Sequence, residues 1–233
     1  MSNSLYKEMT GIVITMYDEA DIVARTIRNC PDAEFVVVHS DNGVQSEDLQ
    51  YVKQNSTYIL QSNLGKELTT DEIGSAAICR NYNIGFKMLY YVCKDQCEFV
   101  IGMTGDTLIT DLNKVVSIAD GHLGYVLQAK GQPFYSRHDR PGIDKPSRMQ
   151  TDEVNDIMPQ FFMFDGKFAY KNRLFTEIVN TNRYTSEENL GNEIMRVLND
   201  MSKIRRIHAN PNVYDYHEGI EFQLKGLGHT RKK

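Results

Sequence analysis

The sequence has no tryptophan, only four cysteines and six prolines, and no excess of positive charge. Its 26 Lys and Arg residues stand against 31 Asp and Glu residues, which gives a formal net charge of -5. A protein that mainly binds nucleic-acid phosphates needs clustered Lys and Arg, so this balance argues against a DNA- or RNA-binding protein. Long apolar runs are also missing, since residues 11–16 and 99–103 fall far short of the roughly 20 residues of a membrane-spanning helix. We therefore expect no nucleic-acid partner and no transmembrane segment.

The start of the chain has no feature of a secretion signal. Residues 1–11 (MSNSLYKEMTG) contain no apolar segment of the kind that a signal peptide requires. Cys93 and Cys97 are four residues apart, but two thiols alone make a poor zinc site. We therefore expect the cysteines to be reduced, buried thiols in a cytoplasmic protein.

The overall composition is that of a globular protein, with 41% hydrophobic and 24% charged residues over 233 positions. A chain of this size can bury a core without disulfides or a structural metal, and its length favours one large domain. Apolar runs rich in β-branched residues predict strands, and apolar residues at helical spacing predict helices between them. Such alternation indicates an α/β protein with a mainly parallel central sheet flanked by helices. The predicted strands are residues 11–16, 34–39, 58–61, 99–103 and 124–129, and the predicted helices are 22–29, 75–93, 113–120 and 186–201, with Asp18 capping the first helix.

Three of the predicted strands end in polar loops, at residues 17–19, 39–43 and 104–107. Ligands of parallel sheets bind outside the carboxyl ends of the strands, so these loops define the expected site. Asp106 follows a buried strand beside Gly105, with threonines at 104 and 107. Its carboxylate could hold Mg²⁺ or Mn²⁺ or could cap its own turn, and the local sequence leaves both readings open. Residues 130–159 hold four of the six prolines and predict a long loop.

Other polar residues also have two readings. Asp41 could bind a ribose or form an Asx turn, and Arg80 could reach a phosphate or pair with an acidic loop. Glu187 and Glu188 open a helix, where carboxylates either offset the helix dipole or act as a general base. His217 is either a metal ligand or a structural histidine.

Five segments taken in order resemble nucleotide-sugar glycosyltransferases of the GT-A fold, a Rossmann-like fold, and especially the inverting family 2. Residues 11–19 (GIVITMYDE) and 36–43 (VVVHSDNG) are similar to the family's first two strands and the turns after them. Residues 79–85 (CRNYNIG) are similar to its Ala-Arg-Asn element, and residues 99–107 (FVIGMTGDT) to the strand that enters its Asp-x-Asp motif. Residues 186–193 (SEENLGNE) are similar to the Glu-Asp element that supplies the catalytic base.

The resemblance implies transfer of a hexosyl-type sugar from a nucleotide sugar, with UDP favoured, to a glycan or other hydroxyl acceptor. It implies inversion with Glu188 as the base and Glu187 as the alternative, and a Mn²⁺ or Mg²⁺ ion held by Asp106 and His217. Residues 10–125 would form the nucleotide-sugar half, residues 126–220 the acceptor half and residues 221–233 a basic tail. The residues implied to bind the donor are Thr15, Tyr17, Glu19, Asp41, Arg80, Thr104, Gly105 and Asp106.

The chain also departs from the family pattern. Thr104 replaces the first Asp of Asp-x-Asp, which keeps open a second hypothesis, a non-catalytic carbohydrate- or nucleotide-binding module. The family's Gln-x-x-Arg-Trp motif is absent, which argues against a processive polysaccharide synthase. A sugar-phosphate nucleotidyltransferase is a third hypothesis, disfavoured because residues 17–19 have no glycines.

Overall fold

The computed structural model describes residues 9–40, 43, 45–62, 71–117, 121–127, 157–178, 186–198, 201–207 and 217–222, without the side chains of residues 71–76, 186–188, 201 and 222. Nine strands and six α-helices lie in these ranges. The strands are β1 (Met9–Met16), β2 (Glu34–Ser40), β3 (Tyr58–Ser62), β4 (Cys97–Thr104), β5 (Thr107–Ile109), β6 (Gly124–Leu127), β7 (Phe161–Asp165), β8 (Ile204–Ile207) and β9 (Ile220–Phe222). The helices are α1 (Ala20–Asn29), α2 (Glu47–Asn55), α3 (Asp71–Cys93), α4 (Leu112–Val116), α5 (Gly166–Asn172) and α6 (Ser186–Leu198).

Seven strands form one sheet in the order β3-β2-β1-β4-β7-β6-β8. The strands β3, β2, β1 and β4 are parallel, and β6 is parallel to β8. Between these groups β7 runs antiparallel to both of its neighbours. β5 and β9 form a separate antiparallel pair. The fold is therefore α/β with a mostly parallel central sheet, as the sequence predicts.

Both faces of the sheet are covered, because successive side chains of a strand point to opposite faces. Ile12 and Ile14 of β1 belong to the core beneath α1 and α2, whereas Val13 between them belongs to the core that includes α3 and α6. All three side chains are fully buried. The unbroken apolar run of β1 is the pattern expected of a strand that is buried on both sides.

Close packing of α3 on the sheet brings aromatic residues under the central strands. Tyr82, Phe86 and Phe162 are fully buried, and the rings of Tyr82 and Phe162 meet edge to face with centroids 5.1 Å apart. Phe162 lies directly across from Gly102 of β4, where a β-carbon would overlap its ring. The glycine in β4 therefore makes room for the aromatic cluster between α3 and the sheet.

The structure corrects several local predictions. α1 begins at Ala20 with Glu19 at the N-cap position, so the prediction that Asp18 caps it is wrong, and Glu19 makes no side-chain cap hydrogen bond. Of the predicted helix over 113–120, the first four residues lie in α4, which ends at Val116, and residues 118–120 lie outside the described residues. The elements α2, α5, β5, β7, β8 and β9 were not predicted, and most of the predicted 130–159 loop lies outside the described residues.

Two other expectations can be compared with the structure. The four cysteines are buried and free, as expected. Within the described ranges, no helix combines the length and apolar character needed to cross a bilayer.

Candidate functional site

Two of the three polar loops meet at the carboxyl edge of the sheet. The turn that follows β4 rests on the end of β1, because the Gly105 amide donates a hydrogen bond to the Thr15 carbonyl oxygen at 2.8 Å. Thr15 and Gly105 are both buried. The β1–α1 turn and the β4–β5 turn therefore form one unit, and the carboxylates of Glu19 and Asp106 lie in it.

Glu19 turns its carboxylate back onto its own loop. Its Oε2 accepts hydrogen bonds from the amides of Tyr17, at 2.9 Å, and Asp18, at 3.2 Å. The same carboxylate lies over Gly105, where an added β-carbon would be 2.7 Å from Oε2. Burial raises the pKa of Glu19 to about 7. Glu19 therefore connects the two turns, and the first turn's amides are already satisfied.

Asp106 is the second carboxylate of this edge. Its Oδ1 accepts a hydrogen bond from the Thr104 hydroxyl. Burial raises its pKa, against the opposing hydrogen bonds from Thr104 and from its own amide. A carboxylate whose negative charge is disfavoured by burial gains when a cation is brought to it.

A divalent ion at this position would depend on few protein ligands. Among the residues that the structure describes, no group of three or more His, Cys, Asp or Glu side chains could hold a metal. Mg²⁺ commonly binds through one or two carboxylates together with substrate phosphates, and it keeps several waters. Asp106 fits that mode, and it does not fit a site built from protein ligands alone.

Tyr82 and Gln160 complete the edge behind Asp106. The Tyr82 hydroxyl donates to the Pro159 carbonyl oxygen at 2.5 Å and also contacts the Thr15 side chain. The carbonyl oxygen of Gln160 accepts from the Thr107 hydroxyl at 2.7 Å. These bonds attach the segment before β7 to the same unit.

On the other side of β1, the end of β2 is tied to α3. Asn81 Nδ2 donates to Ser40 Oγ at 3.2 Å, and Ser40 Oγ lies 3.2 Å from Ser62 Oγ. Asn81 Oδ1 is buried, and none of the described residues donates a hydrogen bond to it. Its neighbour Arg80 is exposed on α3. Asp41 directly follows Ser40 and lies outside the described residues.

The structure gives less detail on the remaining predicted residues. Tyr17 is 41% exposed in the β1–α1 turn. Glu187 and Glu188 lie in the first turn of α6, with side chains outside the described set. Their proposed role as base therefore stays a prediction.

His217 lies elsewhere. Its Nδ1 accepts from the Gly219 amide at 3.1 Å, and the ring also bonds the backbone of Lys114. Gly219 pairs with Thr110, beyond the end of β5 that is far from Asp106. Thr110 comes four positions after Asp106, and four residue steps of extended chain span about 13 Å. This geometry does not support the prediction that His217 binds metal with Asp106.

A cleft of about 390 Å³ opens on the helical face instead of at the strand ends. No residue that the sequence predicts for the site lines it. Its lining consists of Lys87, Asn172, Arg173, Thr176, Glu177 and Arg196. We therefore assign the candidate site to the sheet edge.

The sequence interpretation missed Tyr82 and Gln160. Tyr82 lies inside the family-like segment 79–85, but no role was predicted for it, and Gln160 belongs to none of the five segments. Both reach the edge through tertiary contacts that join α3 and the segment before β7. The one usable signal was position, because Gln160 directly precedes an apolar run (FFMF).

Comparison with known proteins gives matches among solved structures only, since no family model and no curated protein sequence matches. TarS residues 1–349 from S. aureus, solved in complex with UDP, has a TM-score of 0.49 and 14% identity over 85% of this chain and 57% of that chain. The glycosyltransferase GlyE from Streptococcus pneumoniae TIGR4 has a TM-score of 0.40 and 8% identity over 84% of this chain and 44% of that chain. A 4-diphosphocytidyl-2C-methyl-D-erythritol synthase has a TM-score of 0.50 and 11% identity over 88% of this chain and 90% of that chain. The chain thus spans about half the length of the two glycosyltransferases, and at these identities the comparisons concern the fold alone.

Proposed function

We propose that the protein is a glycosyltransferase that takes a sugar from a nucleotide sugar, with a UDP-sugar favoured, and passes it to a hydroxyl acceptor. The observation that carries the proposal is the partly buried Asp106 carboxylate at the carboxyl end of β4, joined through Gly105 to the end of β1. Ligands of such sheets bind at this edge. The order of the five family-like segments along the chain supports the same function.

The edge also fits the implied metal. Asp106 would hold Mn²⁺ or Mg²⁺ together with the donor's diphosphate, which supplies the remaining oxygen ligands. When bound, such an ion offsets the negative charge that develops on the departing diphosphate. His217 is not part of this proposal, because its ring is engaged at the far end of β5.

The chain's own residues supply the rest of the chemistry. Tyr17, Asp41 and Arg80 would contact the nucleotide, while Glu19 holds the β1–α1 turn in place for it. Glu188 would accept the proton of the acceptor hydroxyl as that oxygen attacks the anomeric carbon opposite the leaving diphosphate, which inverts the configuration. Residues 10–125 would then supply the donor half of the site and residues 126–220 the acceptor half.

Binding of UDP tests the proposal directly. We expect the full chain to bind UDP in the presence of Mn²⁺, and to release UDP from at least one member of a UDP-sugar panel. Asp106→Asn should weaken Mn²⁺-dependent UDP binding at least tenfold, which is about 1.4 kcal/mol. Asp95→Asn is the matched control, because Asp95 is exposed just before the opposite end of β4. If the wild-type chain binds no nucleotide sugar with metal present, the proposal is wrong.

A nucleotidyltransferase is the second candidate. The synthase that is similar to this chain is named for a compound that carries a diphosphocytidyl group. One feature of the β1–α1 turn counts against it. A turn that binds a nucleoside triphosphate presents free amides to the phosphates, whereas the amides of Tyr17 and Asp18 are bonded to the Glu19 carboxylate. Release of pyrophosphate from a nucleoside triphosphate and a sugar phosphate would favour this candidate over transfer.

A further inference from the structure

Gln160 has a side-chain oxygen without a hydrogen-bond partner. Its Oε1 is buried, and in the part of the chain that the structure describes no group donates to it. Leaving a buried acceptor unsatisfied is costly, so such atoms are rare in native proteins and call for an explanation.

The backbone around Gln160 is fixed on two sides. Its carbonyl oxygen accepts from the Thr107 hydroxyl at 2.7 Å and from the Thr104 amide at 3.4 Å. The preceding carbonyl, that of Pro159, accepts from Tyr82 at 2.5 Å. The main chain therefore cannot swing away to give the side chain another environment.

The backbone of Gln160 lies at the edge of the candidate site. Met103 of β4 pairs with Phe161 of β7, so Gln160 lies one residue beyond that pair, alongside Thr104. Thr104 donates to Asp106, the proposed ligand of the metal and diphosphate. Gln160 thus belongs to the unit in which the donor is proposed to bind.

The chemistry of Oε1 restricts what can satisfy it. An amide oxygen only accepts hydrogen bonds, and ionised phosphate oxygens also only accept, so a diphosphate cannot be its partner. Two parts of a nucleotide sugar flank the diphosphate and donate hydrogen bonds through hydroxyls, the ribose and the transferred sugar. The residues proposed to contact the nucleoside, Tyr17 and Asp41, follow β1 and β2, whereas Gln160 precedes β7 on the other side of β4. The transferred sugar is therefore the hydrogen-bond donor on the side of Gln160. We propose that Gln160 accepts a hydrogen bond from a hydroxyl of the transferred sugar and so helps to select that sugar. This inference rests on the proposed function.

The experiment compares UDP with UDP-sugars, using calorimetric titration with Mn²⁺ present. Gln160→Met keeps the length of the side chain and removes the acceptor. We expect this variant to bind UDP within twofold of wild type and the preferred UDP-sugar 5–100-fold more weakly, the range for loss of one buried hydrogen bond. A set of deoxy-sugar nucleotides should identify the hydroxyl, because one analogue will bind wild type weakly and lose nothing further in the variant.

A second readout does not depend on the sugar. Without ligand, Gln160→Met removes an unsatisfied acceptor, so its Tm should rise by at least about 2 °C. Gln96→Met is the control, because Gln96 is exposed at the opposite end of β4, and it should change neither Tm nor binding. A gain in stability joined to a loss of sugar binding is not expected of a purely structural residue.

The possible failures can be told apart. If UDP and UDP-sugar lose affinity equally in Gln160→Met, or if neither does, the inference is wrong and the proposed function stands. If wild type binds neither UDP nor any UDP-sugar, both are wrong.

Discussion

The carboxylate of Glu19, which follows β1, lies directly over the α-carbon of Gly105, which follows β4. A β-carbon at Gly105 would be 2.7 Å from Glu19 Oε2 and 3.1 Å from Glu19 Cβ. Only a residue without a side chain lets the carboxylate remain on the amides of Tyr17 and Asp18. The two turns that carry the candidate site are therefore matched in shape to each other.

Gly105→Ala should displace Glu19 and loosen both turns. We expect a loss of about 1–3 kcal/mol in the free energy of unfolding, as for other overpacked sites, and weaker UDP binding. Urea denaturation of Gly105→Ala, Glu19→Ala and the double variant measures the coupling between the two positions. The double variant should lose clearly less than the sum of the two single losses, and strict additivity would contradict the contact.

Glu19 should make stability fall as the pH rises. Its pKa in the folded protein is about 7, above the ordinary value of 4.5, so between these values the folded state holds a proton that the unfolded chain releases. Stability therefore decreases from about pH 4.5 to about pH 7. Thermal unfolding of Glu19→Gln should lack this decrease, and relative to wild type the variant should gain about 1–2 kcal/mol between pH 5 and pH 8. Glu47→Gln, at an exposed position in the first turn of α2, is the control and should leave the decrease in place.

Glu188→Gln should separate binding from turnover. As the proposed base, Glu188 contributes to the chemical step alone, so we expect kcat to fall 10²–10⁴-fold while the Kd for UDP is unchanged. Glu187→Gln, its neighbour in the same turn, should lower kcat less than threefold. A larger effect of Glu187→Gln would make Glu187 the base. Binding of a UDP-sugar without turnover in the wild type would favour the non-catalytic module, and turnover that neither change lowers would exclude both residues as the base.

Gly102→Ala should test how tightly the aromatic cluster packs on β4. A β-carbon at Gly102 would overlap the ring of Phe162, which packs on Phe175 with ring centroids 4.4 Å apart. We expect a loss of about 1–3 kcal/mol on urea denaturation. Adding Phe162→Leu should recover part of the loss, since it shortens the side chain that would be hit. If the double variant loses more free energy of unfolding than the two single variants lose together, the overlap between a β-carbon at Gly102 and the Phe162 ring is not the cause of the loss.

Much of the parallel half of the sheet can be predicted from the sequence, because β1, β2 and β4 are buried on both faces and show unbroken apolar runs. The antiparallel insertion of β7 cannot, since FFMF would suit either strand direction equally. β5 and β9 have only three residues each, and their pairing depends on contacts between distant parts of the chain.

The candidate site is predictable to the same degree. Asp106, Gly105 and Thr15 follow or end apolar strands, so position along the chain predicts their meeting. The Glu19 side chain turns inward onto the amides of its own loop and packs against Gly105. This contact joins two turns that are distant in the sequence, so the sequence does not predict it. Gln160 is equally unpredictable, because the burial of its side-chain oxygen depends on residues that pack around it in the fold.

The place of β7 in the sheet has a consequence for biosynthesis. β4 pairs with β7 from Met103↔Phe161 to Phe99↔Asp165, so the free edge of β4 meets a partner made 58 to 66 residues later. At a synthesis rate of 5–20 residues per second, that edge waits roughly 3–13 s on the ribosome. An unpaired apolar edge invites association with other chains, so this interval is when a nascent chain is most exposed to misassembly. Slow translation between β4 and β7 would lengthen this interval, and a chaperone bound to the edge would shield it until β7 is made.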